Sequence, residues 1–149
     1  MSTPCSITAK CNDGKLRTIY CHYDGHLFSA GQVLFEHFQN QKKIEELIRL
    51  GDISSLEPSI ECPPGHSFKN PTNGHTVFCM RDRKQKGSSF EAYVGDTLRE
   101  CIRENFQAFN YFWDGQEWML VNYYYDDKKV EWIVECKILE KIEEPCDTI

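Results

Sequence analysis

Alternating apolar and polar residues indicate where this chain forms strands. Over residues 16–23 successive side chains fall on opposite faces of one strand, and Asp24 and Gly25 follow as a tight turn. Segments dense in aromatic and β-branched residues predict an antiparallel meander of three strands at 109–113, 118–125 and 130–139. The last strand has one apolar face, which we expect a helix to cover.

Helical spacing of apolar residues predicts two short helices, over 31–38 and 41–50, and Gly51 suits the end of the second. The segment 58–74 carries four prolines and should form an irregular surface loop. Residues 75–80 then return to a strand pattern.

A third helix is predicted from a capping box. Ser88 is followed three residues later by Glu91, and an apolar stripe continues at helical spacing as far as Ile102. A capping box satisfies backbone N–H groups that the start of a helix leaves without partners. We therefore expect this helix to begin at Ser88.

Together these elements predict a single α+β domain over residues 1–149. We expect an antiparallel sheet, made from the N-terminal strand and the C-terminal three-stranded meander, packed against a few helices. The segments 1–14 and 141–149 are expected to be flexible ends.

Composition and charge narrow the functional classes. The formal net charge of −6 argues against direct nucleic-acid binding, which requires neutralisation of phosphates. The chain has no apolar run of eighteen residues, and its first residues lack the pattern of a signal peptide, so we expect neither a membrane span nor secretion. The eight cysteines are scattered without close spacings, which favours reduced thiols over a disulfide framework.

Cys21 lies beside His22 and near His26, an arrangement that could serve a thiolate nucleophile, because a cationic imidazole lowers the pKa of a thiol. Adjacent residues of a strand point to opposite faces, so His22 cannot easily act as the base, which leaves His26 or His37. The alternative is a core thiol beside an exposed histidine. Since the sequence contains none of the common catalytic fingerprints, we expect no enzyme activity.

Two mirrored pairs form a candidate metal site: Cys62, His66, His75 and Cys79. A tetrahedral zinc site needs four such ligands, and the loop between the pairs is long enough. Neither pair has the two-residue spacing of strong zinc motifs, and Cys79 falls on a strand pattern. We favour the alternative of loop histidines with a core cysteine, and expect no metal or other cofactor.

A basic stretch over residues 81–87 precedes the capping box. Arg81, Asp82 and Arg83 open this stretch, and guanidinium groups suit the recognition of phosphate or carboxylate. The N-terminus of a helix at Ser88 would add backbone donors. The alternative is a solvated connection in which Asp82 is held between the two arginines.

Several stretches taken together resemble one protein family. They are residues 16–57, which contain the block Tyr-Cys-His-Tyr-Asp-Gly at 20–25, residues 66–68, residues 76–83, which end on Arg-Asp-Arg, and residues 110–119. As an ordered string they resemble a family of small accessory proteins encoded by tailed phages and prophages.

The resemblance implies a role in the cytoplasm of a bacterial host, where such proteins often bind host or defence components. The chain is then expected to act by binding, and to inhibit a host defence factor, for example of the CRISPR or restriction type, or a host metabolic factor. The expected contact residues lie on two turns: Tyr20, His22, Tyr23, Asp24 and His26 on the first, and Arg81, Asp82 and Arg83 on the second. A homodimer is compatible with this role.

Two alternatives belong to other functional classes. The chain could sequester a nucleotide or another small signalling molecule, through Arg81, Arg83 and an exposed aromatic residue such as Trp113 or Trp118. It could also be a small enzyme or a zinc-binding protein built on the cysteines and histidines above.

Overall fold

Eight strands form one mixed sheet in the computed structural model, which describes residues 2–140. They are β1 (Cys5–Lys10), β2 (Leu16–Cys21), β3 (Ile53–Ser55), β4 (Val77–Phe78), β5 (Tyr93–Gly95), β6 (Phe109–Trp113), β7 (Trp118–Asp126) and β8 (Glu131–Ile138). The order along the sheet is β4-β3-β2-β1-β6-β7-β8, and β5 pairs separately with β2.

The single-domain α+β fold expected from the sequence is confirmed, but the described sheet is mixed rather than antiparallel. β1 runs parallel to β6, and β2 runs parallel to β3. Parallel pairing requires a long crossover, which the helices between β2 and β6 supply. The meander of β6, β7 and β8 is antiparallel as expected. The end expected to be flexible over residues 141–149 lies outside the described residues.

β1 lies at the centre of the sheet, between β2 and β6. The expectation of a flexible end over residues 1–14 is therefore wrong for this strand. The apolar residues Cys5, Ile7 and Ala9 fill one of its faces, and the buried polar residues Ser6 and Thr8 lie on the other. Ser6 Oγ donates to Oδ1 of Asn110, and the hydroxyls of Thr8 and Thr18 are hydrogen-bonded, each at 2.7 Å. These partners allow hydroxyl groups in the interior.

Both helices expected after the first strand are confirmed. One turn of π-helix, Leu27–Gly31, leads directly into α1 (Gln32–His37), and α2 (Gln41–Leu50) follows. The side chain of Asn40 caps α2 by accepting the backbone N–H three residues later at 3.0 Å. Gly51 ends α2 with φ +88°, a conformation that favours glycine.

α1 and α2 cover one face of the sheet and enclose the main core. The indole N–H of Trp118 donates to the backbone oxygen of Phe38 at 2.7 Å, and that of Trp113 donates to Oε1 of Gln41 at 2.6 Å. Both tryptophans are buried. Their polar N–H groups are therefore satisfied within the core.

α3 (Leu98–Asn105) begins later than the capping box at Ser88 predicts, so that prediction is wrong. Ser88 starts only a single 3-10 turn, after which the chain forms β5 against the edge of β2. Thr97 is the cap, because its Oγ1 accepts the backbone N–H of Glu100 at 3.1 Å. α3 packs on β1 and β2 from the face of the sheet opposite α1 and α2. None of the described helices is long and apolar enough to cross a membrane.

β7 and β8 form a hairpin that extends beyond the rest of the sheet. β6 pairs with β7 only over residues 118–120, whereas β7 pairs with β8 over residues 119–126. The outer half of the hairpin therefore has no third strand beside it in the described chain.

Candidate functional site

The first turn expected to carry contacts, residues 20–26, forms a corner at the end of β2. The Tyr20 hydroxyl and Nδ1 of His22 are hydrogen-bonded at 2.7 Å, and the His22 ring meets the Tyr23 ring edge-on with centroids 4.5 Å apart. Tyr23 and Asp24 are exposed, while the other three expected contact residues of this turn are half-buried. Tyr20 thus orients His22 through this hydrogen bond, and the His22 ring packs against the exposed ring of Tyr23.

The backbone of Asp24 and Gly25 holds the corner. Asp24 has φ +55°, a left-handed conformation that aspartate adopts more readily than most residues. The N–H of Gly25 donates to the oxygen of Thr3, and its carbonyl accepts from the Tyr111 hydroxyl, both at 2.7 Å. A Cβ on Gly25 would lie 2.7 Å from Cβ of Cys5, so glycine is required here. The glycine of the Tyr-Cys-His-Tyr-Asp-Gly block therefore has a packing role.

Cys21 is fully buried, and its thiol donates to the backbone oxygen of Tyr23 at 3.3 Å. It lies opposite Cys5 in the pairing of β1 with β2. A hydrogen bond with Cys21, together with burial, raises the pKa of Cys5 well above its ordinary value. His26 pairs with Ser29 instead, with 3.2 Å between Nε2 and Oγ. The geometry is that of a core thiol and offers no support for the nucleophile hypothesis.

Asp82 organises the second turn from a fully buried position. Its Oδ1 accepts from Nε of Arg81 at 2.8 Å, and its Oδ2 accepts from the backbone N–H of Phe78 at 2.8 Å. Burial raises the pKa of Asp82, but the bonds from Arg81 and Phe78 outweigh burial, so the pKa is lowered overall. Asp82 is therefore a carboxylate at neutral pH. No partner can reach it, and the prediction of Asp82 as a contact residue is wrong.

His66 belongs to the same buried network. The backbone N–H of Thr72 donates to Nδ1 at 2.9 Å, which places the ring proton on Nε2. Nε2 donates to the oxygen of Thr76 at 3.1 Å and lies 3.4 Å from Oδ2 of Asp82. His66 thereby fixes the proline-rich loop, residues 58–74, against the turn that contains Asp82.

Arg81 and Arg83 differ in how far they are free to meet a partner. Arg81 donates from Nη1 to the oxygen of Ile60 at 2.7 Å, and its guanidinium lies 4.6 Å from the centre of the Phe78 ring. Arg83 lies 4.1 Å from the centre of the Phe68 ring and is exposed. Arg81 therefore serves the loop, whereas Arg83 remains accessible.

The four residues of the candidate metal site do not form one cluster of ligands, although His66 and Cys62 both contact Asp82. The rings of His66 and His75 are 5.9 Å apart, and Sγ of the exposed Cys62 lies 3.6 Å from Oδ1 of Asp82. Cys79 is buried, and burial raises its pKa. Within residues 2–140 no group of three or more histidine, cysteine or carboxylate side chains is placed to hold a metal ion. The zinc alternative gains no support from these residues.

A cleft of about 300 Å³, here called the 23/68 cleft, lies between the first turn and the proline-rich loop. Tyr23 lines it from the first turn, and Phe68, which packs against Arg83, lines it from the loop. Ser54 from β3 and Glu57 just after that strand also line the cleft. The structure thus brings Tyr23 and Phe68 to one concave surface, and Arg83 lies beside it through its contact with Phe68.

Sequence reasoning missed Phe68 and Glu57 as members of this surface. A lone aromatic residue within a proline-rich loop was the available signal for Phe68, because loops fixed on a rigid scaffold often carry binding residues. Burial and then the charge of Asp24 raise the pKa of Glu57, so the two carboxyl groups influence each other. Glu57 therefore gives the lining of the 23/68 cleft one carboxyl group, which lies within reach of the charge of Asp24.

Trp113 and Trp118 cannot serve the nucleotide-binding alternative, because both are buried with ring centroids 5.4 Å apart. Exposed aromatic residues occur instead at Tyr23 and along the β7–β8 hairpin.

A scan against protein-family models found no matching family, and searches of curated proteins and of solved structures found no match.

Proposed function

We propose that this chain is a phage-type accessory protein that binds a host protein through the 23/68 cleft and thereby inhibits a defence or metabolic factor of the host. The observation that carries the proposal is the exposed Tyr23 ring on one wall of a cleft whose other wall is a fixed loop. The resemblance to accessory proteins of tailed phages supplies the biological setting.

The loop wall is ordered before any partner arrives. The buried carboxylate of Asp82, together with Arg81 and His66, ties the loop to the sheet. Association then requires little further ordering of this wall, which favours affinity. Exposed tyrosine rings give a large contact area with few rotatable bonds, and they are common energetic centres of interfaces.

The chemistry of the 23/68 cleft favours a partner segment with an apolar anchor next to a positive charge. Tyr23 and Phe68 supply apolar walls, Glu57 adds a carboxyl group to the lining, and the charge of Asp24 acts on Glu57. The net charge of −6 adds a general attraction for basic surfaces. A basic segment of a host protein fits this site better than a nucleotide.

Affinity capture from lysates of candidate host bacteria tests the proposal. The wild-type chain should retain a host protein, and Tyr23→Ala should reduce its capture at least about tenfold, because truncating a central interface tyrosine costs about 2 kcal/mol or more. Tyr124→Ala is the matched control: Tyr124 is 41% exposed against 39% for Tyr23 but lies on the hairpin.

Capture by the control should equal that of the wild-type chain. Failure to capture any host protein, or equal losses in the two tyrosine variants, would contradict binding through the 23/68 cleft.

A further inference from the structure

β8 is the last strand of the sheet, and no other described strand pairs with its outer edge. The N–H of Leu139 donates to the oxygen of Trp118 at 2.8 Å, so the odd-numbered residues of β8 are those that bond to β7. The backbone N–H and C=O groups of Trp132, Val134 and Cys136 therefore point away from the sheet. Such open edges are templates for pairing with another chain.

The face of the hairpin beside this edge is aromatic. Tyr123 stacks on Trp132 with centroids 4.7 Å apart, and Tyr125 meets Trp132 at 5.4 Å. Phe106, which follows α3, lies 6.1 Å from Tyr123 and extends the same face. Trp132 is still 45% exposed. An apolar surface on a projecting hairpin is typical of an interaction site.

We propose that β8 pairs antiparallel with β8 of a second copy of this chain, with Val134 on the two-fold axis. Glu131 then lies opposite Lys137 of the second copy, and symmetry forms the same ion pair again on the other side of the axis. On the aromatic face, Trp132 lies opposite Cys136 of the second copy and becomes covered.

Charge selects this register over its neighbours. Shifting the pairing by two residues in one direction sets Glu131 opposite Glu135, and in the other direction sets Glu135 opposite itself, so each neighbour opposes like charges. A shift by one residue would put the outward-pointing backbone groups out of phase and reverse the faces. The proposed register also keeps residues 131–137 of both copies paired.

The dimer leaves the 23/68 cleft open. That cleft is lined by residues of β3 and β4, at the opposite edge of the sheet from β8. A dimer therefore presents two clefts, and a partner with two matching sites would bind with increased avidity. The dimer itself does not depend on the proposed function.

Sedimentation velocity of the full chain over a wide concentration range tests the proposal. The wild-type chain should show a reversible monomer–dimer equilibrium. Lys137→Glu should weaken the dimer by about tenfold or more, because two like-charged pairs replace two ion pairs. Adding Glu131→Lys to the same chain should restore it. Glu135→Lys is the control and should not restore it, since Glu135 lies opposite Ile133.

Val134→Pro provides a second variant that keeps the fold. The N–H of Val134 is not used by β7, so proline removes only a donor at the open edge. This variant should be a monomer with a circular-dichroism melting curve close to that of the wild-type chain. A wild-type chain that stays monomeric at every concentration would overturn the proposal, as would a dimer that neither variant weakens. If Glu135→Lys rather than Glu131→Lys restored the dimer of the Lys137→Glu chain, the proposed register would be wrong.

Discussion

Among single residues, Asp82 has an unusual environment. Its carboxylate is fully buried, takes hydrogen bonds from Arg81 and Phe78, and lies beside His66. Removing one member of a buried ion pair leaves the charge of the other member buried without an opposite charge, which destabilises the fold strongly. Arg81 and Asp82, expected to contact a partner, therefore fix the loop that forms one wall of the 23/68 cleft.

Asp82→Ala should lower the free energy of unfolding by about 3 kcal/mol at neutral pH. Asp127→Ala, at an exposed position, should change it by less than about 0.5 kcal/mol. Because the pKa of Asp82 is lowered in the folded chain, its stabilising effect is present at neutral pH and disappears as the pH falls below about 4. Urea denaturation measures the free energy of unfolding of both variants. Equal decreases in the two variants would contradict the buried network around Asp82.

Asp52 has the opposite dependence on pH. Burial raises its pKa to about 6, against a hydrogen bond from the N–H of Tyr20. Between about pH 4 and pH 6 the folded chain keeps a proton that the unfolded chain has lost, so stability falls as the pH rises through this window.

Asp52→Asn should therefore raise the free energy of unfolding at pH 7 by about 1–2 kcal/mol, a value reduced by the partial access of water. At about pH 4 the substitution should have little effect, because Asp52 is then protonated in the folded chain. Denaturation at the two pH values measures the difference. If Asp52→Asn changed the free energy of unfolding by the same amount at both pH values, ionisation of Asp52 would not limit stability.

At the scale of elements, two capping-box patterns compete in one stretch of sequence: Ser88 with Glu91, and Thr97 with Glu100. Their spacing is the same, so local sequence does not rank them. The chain after Ser88 forms β5, which pairs with β2. Of the two capping boxes, only the one at Thr97 starts a helix, α3. Distant strand pairing therefore overrides a local helix signal here.

Thr97→Ala should lower the free energy of unfolding by about 1 kcal/mol, because the N–H of Glu100 loses its acceptor. Ser88→Ala should change it by less than about 0.5 kcal/mol, since the Ser88 side chain caps no helix. Thermal denaturation of the two variants separates these effects. A larger loss for Ser88→Ala would place the start of the helix at the first box.

Local periodicity explains which elements could be predicted. α1, α2 and the β6–β8 meander repeat apolar residues at the spacing of their own structure, so the sequence identifies them. β1 alternates as well, with apolar residues on one face, but the sequence does not show that Ser6 and Thr8 on the other face are buried, because their hydrogen-bond partners lie on other strands. In the candidate site, the exposed Tyr23 followed from a turn signal. The burial of Asp82 and the position of Phe68 in the 23/68 cleft could not be predicted, because both depend on how the proline-rich loop folds back onto the sheet.

At the scale of the whole molecule, the sheet separates two surfaces. The 23/68 cleft lies at the β3–β4 edge, and the open edge of β8 lies at the other end. A substitution at Tyr23 should therefore leave self-association unchanged, and a substitution at Lys137 should leave the affinity of each single cleft for the proposed host protein unchanged. Residues this far apart with no shared partner usually have additive effects.

The central place of β1 also governs how the chain is made. β1 and β2 can pair soon after both leave the ribosome, but Ser6 and its partner Asn110 are 104 residues apart. Until β6 is synthesised, the second edge of β1 stays open and the Ser6 hydroxyl has only water as a partner. The middle of the sheet is thus completed late, and a nascent chain halted before β6 exposes its most buried strand to aggregation and to chaperones.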